Sequence, residues 1–189
     1  KEIKADIDYR IKEYLKEVWQ AMKEAVETGL TKTGLIPGRL RMPRTAGDIY
    51  NTVIENEDES MKQTRLLSSY AIAVSEENAS GGRIVTAPTC GASGIVPSVL
   101  YYYYKDKNVQ EHTIIEALAV AGLFGNLIKT NASISGAECG CQAEVGTACS
   151  MAAAAASYII GLDIDRIENA AEVAMEHHLG LTCDPIYGY

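Results

Sequence analysis

A chain of 189 residues and 20.4 kDa, 47% apolar and 22% charged, with a mean hydropathy of -0.04, has the composition of one globular domain with a sizeable core. That balance excludes disorder and collagen-like repeats. Seventeen basic against 25 acidic side chains give a net charge of -8, with neither sign in a long block, so neither nucleic acid nor a membrane surface is expected as a partner.

The opening Lys1-Glu2-Ile3-Lys4 lacks the hydrophobic segment of a signal peptide, and no apolar run is read as approaching the roughly 20 residues of a membrane span. From about residue 6 to 28, Ile11, Leu15, Trp19, Met22 and Ala25 recur at the period of one helical face, and Gly29 follows as a stop. Residues 31–48, with Gly34, Pro37, Gly38, Pro43 and Gly47, read as an irregular connection. Met61, Leu67, Ala71 and Val74 predict a second long helix over residues 60–77, ending at Asn78 and Gly81-Gly82. Residues 83–86 are a short β-branched run leading into the small-residue loop 87–94, and Pro97 suits the first turn of a helix. Thr113 with Glu116 forms a capping-box pattern ahead of an apolar helix over 114–129, and Asp165 with Glu168 repeats it ahead of the last helix. Between them, residues 144–160 carry five consecutive alanines from Ala152 to Ala156, which predict a helix that neighbours approach closely. Tyr101 to Tyr104 form the sole aromatic cluster, so the core is expected from Ala, Leu, Ile and Val. The fold class is therefore all-α: a compact bundle of packed helices in one domain over residues 1–189, with Gly/Ser-rich loops forming the site.

The five cysteines, Cys90, Cys139, Cys141, Cys149 and Cys183, are odd in number in a chain without secretory features, which favours free thiols or metal ligands and a reducing, cytoplasmic setting. Buried free cysteine also behaves as a small hydrophobe, the competing reading for each. Three loops combine glycine, hydroxyl groups and a cysteine beside a predicted helix: residues 86–94, 131–142 and 180–188. Glycine lets backbone approach a ligand, and a helix N-terminus favours an anion; an ordinary tight turn is the alternative for each loop. Cys139-Gly140-Cys141 is too tight for a zinc knuckle, and G-x-S-x-G, H-E-x-x-H, P-loop and G-x-G-x-x-G patterns are all missing. His177 and His178 precede the Cys183 loop, where a histidine serves either beside a thiolate or as a favourable contact at a helix C-terminus.

Three stretches together carry a resemblance: Thr86-Ala87-Pro88-Thr89-x-Gly91-Ala92; Asn131-Ala132-Ser133-Ile134-Ser135-Gly136-Ala137-Glu138-x-Gly140-Cys141-Gln142-x-Glu144-Val145-Gly146; and Gly180-Leu181-Thr182-Cys183-Asp184-Pro185. With Glu76-Glu77-Asn78-Ala79-Ser80-Gly81-Gly82 and the alanine-rich helix after Cys149, they make the chain resemble the α (catalytic) region of iron-sulfur-dependent L-serine dehydratase. The resemblance implies a lyase with a 4Fe–4S cluster that deaminates L-serine to pyruvate and ammonia. It places cluster ligands at Cys141 and Cys183, with a third cysteine eleven residues beyond Cys183, past Tyr189. Three thiolates leave one iron open to act as a Lewis acid on a substrate hydroxyl. Cys90, Cys139 and Cys149 match no ligand position of that family.

Asn131, Ser133, Ser135, the N–H groups around Gly136, and Thr89 and Gly91 have the uncharged, hydrogen-bonding character that suits a small zwitterion; for Ser133 and Ser135 the alternative is capping of a helix near Glu138. His177, and less strongly Lys129, are candidate bases, as is a β (substrate-binding) domain or subunit that the family carries. L-threonine and L-cysteine lyases are the near alternatives, and a non-catalytic helical interaction module with inert cysteines is the distant one. The chain reads as part of a larger protein, with apolar surface that a homo- or hetero-oligomeric partner would cover.

Overall fold

Trp19, Met22, Ala25 and Val26 recur at helical intervals and are all buried, so the first segment folds as one helix, α1 (Glu2–Thr31), with a single stripe turned inward. The computed structural model describes residues 2–181. After α1 come α2 (Ala46–Asn51), α3 (Glu59–Ala79), α4 (Ile95–Lys105), α5 (Glu111–Asn131), α6 (Gly136–Cys139), α7 (Cys141–Ile159) and α8 (Ile164–Glu176). Among the described residues there is no strand, and an isolated bridge pairs Leu35 with Pro43. The all-α class read from the sequence holds.

Several local expectations are corrected. Helix α5 starts at Glu111 behind Gln110, whose side chain makes no capping bond, so Thr113 lies inside the first turn with its hydroxyl beside His112. The cap of α8 is Asp163, not Asp165: in extended conformation its carboxylate accepts the Arg166 N–H at 3.0 Å. Asp58 caps α3 in the same way, through the Met61 N–H at 2.8 Å. The irregular connection ends at Thr45, because Gly47 and Asp48 belong to α2. Met61 is exposed, and α3 turns Leu66, Tyr70, Ala73 and Val74 inward.

Helix α7 is buried on several sides, and its small residues, Gly146, Ala148, Ala152, Ala154 and Ala155 among them, let α5 and α8 lie close against it. The rest of the core departs from the expected aliphatic composition. Trp19, Tyr70, Tyr101 and Tyr102 are all buried, with Tyr70 edge-on to Tyr101 at 4.9 Å and Trp19 edge-on to Tyr104 at 5.6 Å. Three of these polar tips find partners at the rim: Tyr70 Oη donates to Asp106 at 2.9 Å, Tyr101 Oη to Glu27 at 3.3 Å and Trp19 Nε1 to Glu111 at 3.0 Å. Burial, reinforced by these carboxylates, pushes the Tyr70 and Tyr101 hydroxyls above the ordinary phenol range, so both remain donors.

Helix α5 also corrects the reading on apolar runs, since Glu111–Asn131 is long and apolar enough, by length and composition, to cross a membrane. Here it gives Ile114, Ala117, Leu118 and Ala121 to the core and leaves Leu123 and Leu127 exposed.

The C-terminal end of α3 carries two adjacent buried carboxylates, Glu76 and Glu77, at 4% and 3% exposure. Burying such charges demands partners. Arg44, from the irregular connection, lies 3.2 Å from Glu77 and 3.8 Å from Glu76, and donates to Ser80 at 2.5 Å. Lys32 donates to Glu77 at 2.7 Å, and the N–H groups of Thr45 and Ala46 donate to Glu76 Oε1 at 2.6 and 3.2 Å. One residue further, Asn78 Nδ2 donates to the Cys90 carbonyl at 3.1 Å, which ties this charged knot to the loop over residues 86–94.

Candidate active site

The chain leaves α5 at Ala132 in extended conformation, passes Ser133 to Ser135, makes the single turn α6, and enters α7 through Gly140. Gly140 has φ +82° and ψ 162°, a conformation in practice confined to glycine. It sets exposed Cys139 at the end of α6 and exposed Cys141 as the first residue of a 19-residue helix, where the positive end of the helix dipole favours a thiolate.

A cavity of about 710 Å³ opens between the C-terminal ends of α5 and α8 and the start of α7, lined among others by Asn131, Ser133, Cys139, Gln142, Thr147 and His178. Asn131 Nδ2 donates to the Leu127 carbonyl at 2.9 Å, leaving its amide oxygen available. Ser133 Oγ accepts the Ser135 N–H at 3.2 Å and donates to the Glu138 carboxylate, so Ser133 braces α6; Ser135 is the N-cap residue but makes no side-chain cap. The Gly136 N–H is already bonded to Glu144 Oε1 at 3.0 Å, and is not free for a ligand as the sequence reading supposed.

In the loop over residues 86–94, Ser93 Oγ joins Asn78 on the Cys90 carbonyl, at 2.7 Å. Among the described residues the Thr89 hydroxyl, like Glu76 Oε2 in the charged knot, is buried without a hydrogen-bond partner. That is an unusual condition for a buried polar group, and it fits a hydroxyl that meets a ligand. A methyl group on Gly91 would stand 2.6 Å from Glu144 Oε2, so this loop and Gly136 meet on opposite oxygens of one carboxylate.

The two candidate bases lie elsewhere. His177 is exposed, its Nδ1 donating to the Val173 carbonyl at 2.9 Å, and it lines a groove of about 680 Å³ with Cys149 and Arg166. Lys129 lines a third groove, of about 730 Å³, between α1 and α5 with Thr86, Pro88 and Ile134. Neither lines the cavity that holds Asn131 and Ser133.

His178 does line it, and its ring is fully engaged. Nδ1 is 2.9 Å from the Ala174 carbonyl, which can only accept, so the proton sits on Nδ1 and Nε2 accepts from the Cys149 thiol at 3.5 Å. Burial pushes the Cys149 thiol up, which keeps it protonated and a poor metal ligand. Alkylation of the folded protein, mapped by mass spectrometry, should therefore modify exposed Cys90, Cys139 and Cys141 at least about tenfold faster than Cys149. Equal rates would refute this placement.

No group of three or more His, Cys, Asp or Glu side chains poised for a metal occurs among the described residues, and Cys183 lies outside them. At the end of the described chain, the Gln142 side-chain amide donates to the Leu181 carbonyl. Sequence reading assigned no role to Gln142, Glu144 or Asn78, and placed His178 near the Cys183 loop, whereas its ring meets Cys149. The first three lay inside quoted motifs, but nothing in a linear sequence says which distant residue each one meets.

The family model described as serine dehydratase alpha chain matches residues 2–189. The L-serine dehydratase of Streptomyces coelicolor is 48% identical over 179 residues, covering 94% of this chain and 39% of its own length. That of Haemophilus influenzae is 50% identical over 179 residues, with 93% and 39% covered, and that of Helicobacter pylori 44% identical over 179 residues, with 91% and 39% covered. The chain thus spans about two fifths of the length of the curated relatives it matches. A match over essentially every residue, taking in all three glycine-rich loops, means that this chain belongs to the serine dehydratase alpha chain family.

Proposed function

We propose that the chain is the cluster-holding catalytic part of an L-serine dehydratase, which removes water from L-serine to give an aminoacrylate that tautomerises to an imine and is hydrolysed to pyruvate and ammonia. The observation that carries this reading is the match of residues 2–189 to the serine dehydratase alpha chain family, which takes in both the Gly-Cys-Gln and the Cys-Asp-Pro motifs.

Of the expected ligands of a 4Fe–4S cluster, the described residues include Cys141, and its chemistry fits that role: it is solvent-facing at the start of α7, whereas burial pushes the Cys149 thiol up and sets it apart. When bound, the cluster supplies an open iron that polarises the substrate hydroxyl as a Lewis acid. The chain itself supplies the cradle. The Asn131 amide oxygen, on the cavity wall, together with the Ser135 hydroxyl and the buried Thr89 hydroxyl, which do not line that cavity, are the groups we assign to the carboxylate and ammonium of the amino acid. His177 and Lys129 line other grooves, so a β domain or subunit outside this chain is the better candidate for removing the α-proton. An oxygen-sensitive cluster fits the reducing, cytoplasmic setting read from the cysteines.

Anaerobic reconstitution of the intact protein with iron and sulfide tests the reading. A brown protein with broad blue-end absorbance that air bleaches is expected, with L-serine turned over faster than L-threonine or L-cysteine. A colourless protein that takes up no iron would leave only a helical interaction module.

A further inference from the structure

We propose that Glu144 is a positioning residue that latches the loop of Thr89 and Gly91 to the loop of Ser133 to Gly136, and so sets the width of the amino-acid cradle between them. The proposal deepens the reading of an L-serine lyase and rests on it. Glu144 sits in the first turn of α7, half-buried, and its two oxygens address different loops. Oε1 accepts the Gly136 N–H at 3.0 Å. Both loops carry glycine where the carboxylate lies: a methyl at Gly136 would stand 2.5 Å from Oε1, and a methyl at Gly91 would stand 2.6 Å from Oε2. Real side chains do not approach so closely, so the two glycines form a socket shaped to one carboxylate.

The loops are otherwise anchored to different elements. Asn78 of α3 holds the Cys90 carbonyl, while residues 132–135 hang from the end of α5. Oε1 is hydrogen-bonded to one loop and Oε2 lies against Gly91 of the other by contact alone, so the carboxylate acts as the spacer between the loop of Thr89 and that of Ser133 and Ser135. Misplacing a bound reactant by about 1 Å can cost on the order of 100-fold in rate.

In the intact, reconstituted protein, Glu144→Ala should raise KM for L-serine about tenfold or more while cluster absorbance per protein is unchanged. Glu144→Gln keeps an acceptor oxygen for the Gly136 N–H and should hold KM within about threefold. Gly91→Ala should raise KM in the wild-type background yet add less than about twofold to Glu144→Ala, because the methyl then enters vacated space. Backbone hydrogen exchange over residues 86–94 and 131–140 should quicken about tenfold in Glu144→Ala, in both loops together. A KM within twofold of wild type in Glu144→Ala, Glu144→Gln as damaging as Glu144→Ala, loss of cluster colour, or exchange quickened in one loop only would each overturn the proposal. A wild-type protein without lyase activity would refute the lyase reading instead, and the exchange experiment would still decide whether the latch exists.

Discussion

Cys141→Ser in the intact, anaerobically reconstituted protein should abolish the brown colour and lower L-serine turnover by at least about 100-fold, a loss beyond the tenfold to 100-fold that follows removal of groups merely supporting a metal ligand. The expectation comes from placement. Cys141 is exposed at the head of α7 and makes no side-chain hydrogen bond among the described residues, so its loss should change stability by less than about 1 kcal/mol. Far-ultraviolet circular dichroism should be that of the wild type. Cys149→Ser is the internal control: its thiol points to His178 and is kept protonated by burial, so that variant should retain colour. Full iron content in Cys141→Ser, or colour lost from Cys149→Ser alone, would mean that the cluster, if any, is held elsewhere.

Arg44→Met should destabilise the folded protein by about 3–5 kcal/mol, measured as a shift in the urea unfolding midpoint. The guanidinium side chain is 6% exposed and faces both Glu76 and Glu77. Removing it leaves two adjacent buried carboxylates with Lys32, 44% exposed, as the remaining side-chain cation, and Lys32 reaches only Glu77. Methionine fills similar volume, so the loss is electrostatic rather than a cavity. The damage should spread: Asn78 follows Glu77 directly and holds the Cys90 carbonyl, so exchange in the loop over residues 86–94 should rise as well. A shift worth under about 1 kcal/mol would show that water reaches these carboxylates and that the knot is not dry.

Much of the fold was legible because helices are local. The period of Trp19, Met22 and Ala25 and the alanine run of α7 depend on residues within a turn or two of one another, and the helices form where they predict, but Gly29 is no stop: α1 continues through it to Thr31, and it instead lets α1 lie close against Ala73 of α3. The errors are also local. At α5 and α8 a nearby polar pair mimicked a capping box, while the helix actually starts two or three residues earlier. Short α2 and α6 carry too few residues for a periodic signal. The aromatic core was misjudged because one aromatic cluster, Tyr101 to Tyr104, was taken to leave the core to Ala, Leu, Ile and Val, whereas Asp106, Glu27 and Glu111 satisfy the polar tips of Tyr70, Tyr101 and Trp19 and so permit their burial.

By itself the sequence determined the helical class, the three glycine-rich loops and, through their motifs, the family. Only the tertiary structure decided which of those loops touch. Glu144 meets Gly91 and Gly136, Gln142 meets Leu181, Asn78 meets Cys90, and His177 lines a different groove from Asn131. The reason is physical: backbone periodicity is set by neighbours along the chain, but side-chain partnerships across a site are set by how packed helices bring distant loops together, and a helix face turns 100° with every residue.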